Sequence, residues 1–308
     1  MLPMQIPSVG MPETVTIYEV GPRDGLQNET TVIPTNIKVE FIQRLIKSGL
    51  NTIELASFVA PSWVPQLADA EGLMEKLGGS GLGKHRPVLV PNEKGLERAL
   101  GHGVQSVAVF ASATETFAQK NLNGSIMETI SRLVPVIERA KEEGAWVRGY
   151  VSMCFGDPWE GPVPMQEVID TCSRLMDLGC DQLALGDTIG VATPGHVEEL
   201  LIKLDIAGIE PERIGVHFHD TYGQALSNTL TAIRCGVGTV DSSAGGLGGC
   251  PYARSATGNL PTEDLVWALQ GLGIHHGVDL ELLVDTSVWM AGKIGKPSPS
   301  LVVAALGG

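Results

Sequence analysis

No apolar run in this 308-residue chain approaches the roughly 18 to 20 residues that a membrane-spanning helix needs; the longest are broken by Gly, Pro or charge, which argues against an anchor. Cysteine is sparse. Five residues without a CxxC pair fit neither a disulfide framework nor a zinc ribbon, so most should be ordinary buried thiols. Positive charge is also in deficit: 21 Lys and Arg stand against 35 Asp and Glu, a net charge of -14. Nucleic acid is therefore a poor partner, because phosphate binding needs a basic surface, and an anionic substrate would require a locally cationic site. The opening MLPMQIPSVGMPE has no basic segment followed by an apolar one and no Arg-rich amphipathic pattern, so a cytoplasmic protein is expected. Internal repeats and low-complexity linkers are absent as well.

What is present is core-forming material: 43% of residues are hydrophobic and 18% charged, enough to bury a large core. Short apolar runs alternate with longer stretches of helical period. Strands are predicted at 14–20, 52–56, 87–90, 106–111, 147–151, 182–185, 214–218 and 238–241. Helices are predicted at 35–48, 64–77, 94–101, 125–143, 164–178, 194–206, 222–235 and 262–272. Thr35, Thr193 and Thr262 stand near helix starts, and Gly49, Gly144, Gly179 and Gly236 follow helix ends. Eight βα units suit either a TIM barrel or a doubly wound open sheet. No Gly-x-Gly-x-x-Gly follows the first strand, which removes the dinucleotide fingerprint and favours the barrel. The expectation is an α/β protein, a (β/α)8 TIM barrel over about 14–276 with a short C-terminal helical extension over about 277–308. That extension reads as a helix at 280–293 and a Pro-rich end, with residues 1–308 forming a single catalytic domain.

Barrel active sites are built at the carboxyl ends of the strands, so polar residues there carry the functional reading. The first strand runs into GPRDGLQNE, which sets Arg23 and Asp24 above it. A bare Arg-Asp pair is more often a turn salt bridge; its position at a strand end favours function. The seventh strand ends in His217-Phe218-His219-Asp220, and residues two apart share a face at roughly 6 to 7 Å, so both imidazoles can reach one ion. Further ligand candidates are Asp24 and Asn259, because strands one, seven and eight adjoin in a closed ring. Two nitrogens with a carboxylate and an amide oxygen suit Mg2+, Mn2+ or a catalytic Zn2+. Between Asp241 and Asn259, Gly245, Gly246, Gly248 and Gly249 flank Cys250 in what reads as a closing lid, although free thiols are usually inert. Glu54 and Asp187, at the ends of the second and sixth strands, are expected to face the same mouth.

The segments VGPRDGLQNE, ASFVAPSWVPQLAD, LGDTIGVATPG, HFHDTYGQAL and GGLGGCPYARSATGN together resemble the 3-hydroxy-3-methylglutaryl-CoA lyase family. That family lies in a wider metallolyase group that includes isopropylmalate synthase. RDG and HxH mark only the wider group, whereas GGLGGCPYA followed by ATGN is more specific. The resemblance implies a divalent ion, Mg2+ or Mn2+ with Zn2+ as the alternative, held by Asp24, His217, His219 and Asn259. It implies that Arg23 contacts the substrate carbonyl, that Cys250, Asp187, Glu54 and His217 are catalytic, and that Gln27 and Glu263 support them. Gly246, Gly248 and Gly249 would form the lid, in which Ser255 replaces a glycine of relatives. The implied reaction cleaves a small acyl-CoA to acetyl-CoA and acetoacetate in a homodimer, without nicotinamide, flavin or ATP. Alternatives are a lyase for a longer 3-hydroxy-3-alkenylglutaryl-CoA and a synthase condensing acetyl-CoA with a 2-keto acid; a non-catalytic metal-binding barrel would leave Cys250 without a role.

Overall fold

The apolar runs form eight parallel strands: β1 (Thr16–Glu19), β2 (Thr52–Ile53), β3 (Val88–Leu89), β4 (Ser106–Ser112), β5 (Trp146–Ser152), β6 (Gln182–Asp187), β7 (Ile214–Phe218) and β8 (Thr239–Ser242). The computed structural model describes residues 2–78, 83–249 and 258–307. Ladders run in the order β2-β1-β8-β7-β6-β5-β4-β3. The two ends of that order meet: Leu55 N donates to Pro87 O at 3.0 Å, and Leu89 N donates to Ala56 O at 2.9 Å, which closes the ring. This is the (β/α)8 barrel, and the open sheet is excluded.

Helices α1 (Thr35–Lys47), α2 (Ala70–Leu77), α3 (Glu93–Gly101), α4 (Glu115–Leu122), α5 (Ile126–Glu142), α6 (Met165–Asp177), α7 (Pro194–Ile206), α8 (Ala225–Arg234) and α9 (Thr262–Gly271) make the outer layer. Most lay an apolar stripe on the strands. In α6, for example, the buried residues Val168, Thr171, Cys172 and Leu175 recur at helical spacing. Gly49, Gly144, Gly179 and Gly236 do end helices, each at positive φ. Cys154, Cys172 and Cys180 are buried thiols, and burial pushes the latter two up to about 12. Among the described residues no helix is long and apolar enough to cross a membrane.

One predicted helix needs correction, and two helices were not predicted. The helix expected over 64–77 is a 3-10 turn, Pro65–Leu67, followed by α2, and the break brings the Asp69 carboxylate to Thr35 Oγ1 at 2.7 Å and Lys38 Nζ at 2.6 Å. Helix α4 was unforeseen because only Phe117 and Ala118 of its eight residues are buried, too few to display a period. Beyond α10 (Leu280–Ile294), the Pro-rich end contains α11 (Leu301–Leu306), capped by Ser300 Oγ accepting from Val303 N at 3.1 Å.

The inside of the barrel departs from the usual aliphatic filling. Beside a small apolar layer of Leu89, Ala108, Tyr150 and Ala184, Arg148 of β5 reaches across to Asp241 of β8. The pairing is bidentate, Nη1 to Oδ2 at 3.0 Å and Nη2 to Oδ1 at 2.7 Å, and Arg148 is 0% exposed. Its guanidinium lies 3.9 Å from the Tyr18 ring centroid. Gly215 of β7 makes the passage: any Cβ there would run into Arg148 Nη2.

Candidate active site

At the carboxyl end of β1 the chain turns through one π-helical turn, Gly21–Gly25, in which Arg23 N and Gly25 N both donate to Val20 O at 3.2 and 3.1 Å. The turn aims Arg23 and Asp24 over the barrel mouth. His217 and His219 rise from the end of β7 with ring centroids 5.4 Å apart. Asn259 joins them through a bridge to His219, while its Nδ2 donates to Asp24 Oδ2 at 2.9 Å and Leu247 O at 3.0 Å. Ligand atoms of Asp24, His217 and His219 all lie within 4.8 Å of one another. The four predicted ligands therefore converge from three adjoining strand ends.

The donor set fits a divalent cation. His219 Nδ1 and Asn259 Oδ1 are buried without a hydrogen-bond partner among the described residues, a state that interiors rarely leave uncompensated. Burial, reinforced by His217, lowers the His219 imidazole to about 4, so its ring is neutral and keeps a lone pair at neutral pH. Burial alone would raise the Asp24 carboxyl, but Arg23 and the two imidazoles hold it well below the usual carboxylate range. Two imidazole nitrogens, a carboxylate and an amide oxygen, with no thiolate among them, suit Mg2+, Mn2+ or Zn2+.

Arg23 and Asp24 border a cavity of about 630 Å³ that also touches Gln27, His217, His219 and Gly249. Arg23 is anchored twice, by Nη1 on Asp24 Oδ1 at 2.6 Å and by Nε on Glu54 Oε1. Glu54 itself does not line the cavity. It is fully buried and accepts from Tyr18 OH at 2.8 Å and Tyr150 OH at 2.9 Å, so it steadies Arg23 from below. Asp187 also fails to face the mouth: its carboxylate accepts from Val191 N and Ala192 N, each at 2.9 Å, and ties the loop after β6. Burial, opposed by those N–H groups, raises it to about 6. In both cases fixed donors hold the carboxylate away from the open mouth, tyrosine hydroxyls beneath the rim for Glu54 and loop N–H groups for Asp187.

A profile of the HMGL-like family matches residues 14–289, nearly the whole barrel and part of its extension. The chain belongs to the HMGL-like family. It is 48% identical over 97% of its length to the mitochondrial hydroxymethylglutaryl-CoA lyase of Arabidopsis thaliana, and spans 64% of that protein. It is 47% identical over 96% of its length to the cytoplasmic 3-hydroxy-3-methylglutaryl-CoA lyase of Rattus norvegicus, covering 86% of it. The crystal structure of hydroxymethylglutaryl-CoA lyase from Pseudomonas aeruginosa superposes with a TM-score of 0.92 at 43% identity, over 97% of this chain and 99% of that one.

In this HMGL-like chain the glycine segment after β8 is held more firmly than free flexibility would suggest. Gly246 and Gly248 both adopt positive φ, and a Cβ on Gly248, at φ +111°, would stand 2.6 Å from Asn259 Nδ2. Gly249 O accepts from Asn28 Nδ2 at 2.8 Å. Cys250 and Ser255 lie outside the described residues. Glu263, expected as a supporting group near Asn259, accepts from Gly245 N at 2.9 Å and from Ser287 Oγ, so it clamps the start of the glycine segment to α10.

Burial raises the Glu263 carboxyl to about 8, and Glu19, buried under Gly21 N, Ala244 N and Thr262 Oγ1, is raised to about 7. An acid raised on folding contributes stability that is complete below its unfolded pKa near 4.5 and is lost as pH climbs through the folded value. The denaturation midpoint should therefore fall between about pH 5 and pH 9, and Glu263→Gln should flatten part of that slope. An unchanged slope in the variant would mean that Glu263 is ionised throughout.

Asp241, Arg148 and Tyr150 were not singled out from the sequence. His217 Nδ1 lies 3.0 Å from Asp241 Oδ2, and Tyr150 OH reaches the same oxygen at 3.1 Å. The usable signal was Arg148 itself, a lone charge within the apolar run WVRGYVS, which a buried strand accepts only if a counter-charge awaits it.

Proposed function

We propose that this chain is a divalent-metal-dependent carbon-carbon lyase that cleaves 3-hydroxy-3-methylglutaryl-CoA to acetyl-CoA and acetoacetate. The observation that carries the proposal is the convergence of Asp24, His217, His219 and Asn259 beside the anchored Arg23 at the cavity. Support comes also from relatives that match nearly the whole of this chain and bear that activity in their names. When bound, the ion would act as a Lewis acid on the tertiary hydroxyl, easing transfer of its proton to a nearby base. As the C2–C3 bond breaks, its electron pair passes to C2 and the thioester carbonyl. Arg23 donates to that oxygen while charge develops, an interaction stronger in the transition state than in the ground state. Glu54 and Asp24 hold the guanidinium plane so that little reorganisation is needed. Cys250 returns a proton to C2, and the segment of Gly246, Gly248 and Gly249 covers the reacting atoms. Gln27, which borders the cavity, and Glu263, which clamps the glycine segment, support the site. The reading includes Mg2+ or Mn2+ as the ion, a homodimer, and a cytoplasmic compartment.

The test is a product assay with 3-hydroxy-3-methylglutaryl-CoA, with and without chelator. Acetoacetate should form, stop on chelation and return with added Mg2+ or Mn2+. No cleavage, cleavage confined to a longer 3-alkenyl analogue, or thiol release from acetyl-CoA only when a 2-keto acid is added would each overturn the assignment.

A further inference from the structure

Asp241 is a fully enclosed carboxylate that the cleavage chemistry leaves without a task, yet it lies directly behind a proposed ligand. Its neighbours determine which atom of that contact carries the hydrogen. Arg148 donates to both oxygens, at 3.0 and 2.7 Å, and a guanidinium does not lose its proton in a protein. The facing carboxylate therefore offers only lone pairs. Tyr150 OH also approaches, at 3.1 Å from Oδ2, and can donate but not demand a proton from it. His217 Nδ1 stands 3.0 Å from that same Oδ2. Were Nδ1 bare, two lone-pair atoms would face each other at that distance; with a hydrogen on Nδ1 the contact is a hydrogen bond. A neutral ring protonated at Nδ1 has its lone pair at Nε2, which lies 3.8 Å from Asp24 Oδ2 inside the ligand cluster. His219 has no equivalent, since its Nδ1 meets no partner among the described residues.

We propose that the Arg148–Asp241 pair is a positioning device that locks His217 as the Nδ1–H tautomer, presenting its Nε2 lone pair to the metal before the ion arrives. The lock makes the two imidazoles unequal: His217 is preset, whereas His219 is oriented by other means. Its purpose rests on the metal reading above, but the tautomer itself does not. The pair acts through His217 and does not touch substrate.

Two measurements test it. In metal-free wild-type protein, 15N spectra of the seven histidines, with His217 assigned by its loss in His217→Gln, should show a protonated Nδ1 and a bare Nε2 for that ring. A bare Nδ1, an even tautomer mixture or a ring protonated on both nitrogens would overturn the lock. In Asp241→Asn, Arg148 keeps the amide oxygen and turns the amide nitrogen toward Nδ1, which forces the hydrogen onto Nε2. Mn2+ affinity, read by electron paramagnetic resonance, should then weaken by about 10- to 100-fold. Wild-type affinity in the variant would also sink the proposal. Should the variant fail to fold because Arg148 loses its counter-charge, the wild-type spectrum still decides. Wild-type protein that binds no Mn2+ would remove the metal reading and the purpose of the lock together, and that result needs no substitution to be seen.

Discussion

Replacing Arg23 with glutamine is expected to lower kcat for carbon-carbon cleavage by about 10³-fold, the loss typical when a preorganised donor to a developing oxyanion is removed, roughly 3 to 4 kcal/mol. Two of the guanidinium nitrogens are fixed, one on Glu54 and one on Asp24, so the group is already aimed at the cavity before substrate enters. Glutamine is shorter and neutral; it can keep neither both anchors nor the charge. Because the interaction strengthens only as the enolate forms, kcat and kcat/KM should fall together while KM changes little. Glu54 keeps two tyrosine hydroxyls as donors, so the variant should fold, which circular dichroism would confirm. A near-wild-type rate in a folded variant would remove Arg23 from the mechanism.

His217→Ala should abolish tight metal retention and, with it, measurable cleavage. The loss should exceed the 10- to 100-fold effect typical of substitutions one step removed from an ion, since the ligand itself is gone. Three of the four proposed ligands remain, but the position 3.8 Å from Asp24 Oδ2 then has no nitrogen donor. Elemental analysis of purified protein gives the answer: near-stoichiometric metal in the wild type and little in the variant. Full occupancy in His217→Ala would contradict its place in the ligand set.

How much of this was readable before the fold depends on how local the cause was. Strand β7 was bounded correctly at 214–218 because the run Ile-Gly-Val-His-Phe stops at a polar His-Asp-Thr. The shortest strands, β2 and β3, were overextended, because an apolar run does not reveal where ladder pairing lapses at the seam of the barrel. The ligand quartet was legible from two simple periods: residues two apart share a face, and strands one, seven and eight adjoin in a ring of eight. Orientation below the rim was not. Glu54 is drawn inward by Tyr18 and Tyr150, the latter 96 residues away in sequence, and Asp241 meets Arg148 across 93. No local pattern encodes such encounters. Asp187 turned on a nearer cause, the N–H groups four and five residues ahead, and its following Gly-Val-Ala turn was a cue that a cap was available.

A charge pair threaded through the hollow of the barrel also governs how this protein can drift. Losing either Arg148 or Asp241 alone strands an ion in the interior at about 3 to 5 kcal/mol, a large share of the roughly 5 to 15 kcal/mol that holds a typical domain together. Exchanging both for apolar side chains of matched volume is close to neutral by the same reasoning, and it would free Gly215 to regain a side chain. Residues 148, 215 and 241 are thus bound into a single heritable unit that evolves in concert or stays as it is.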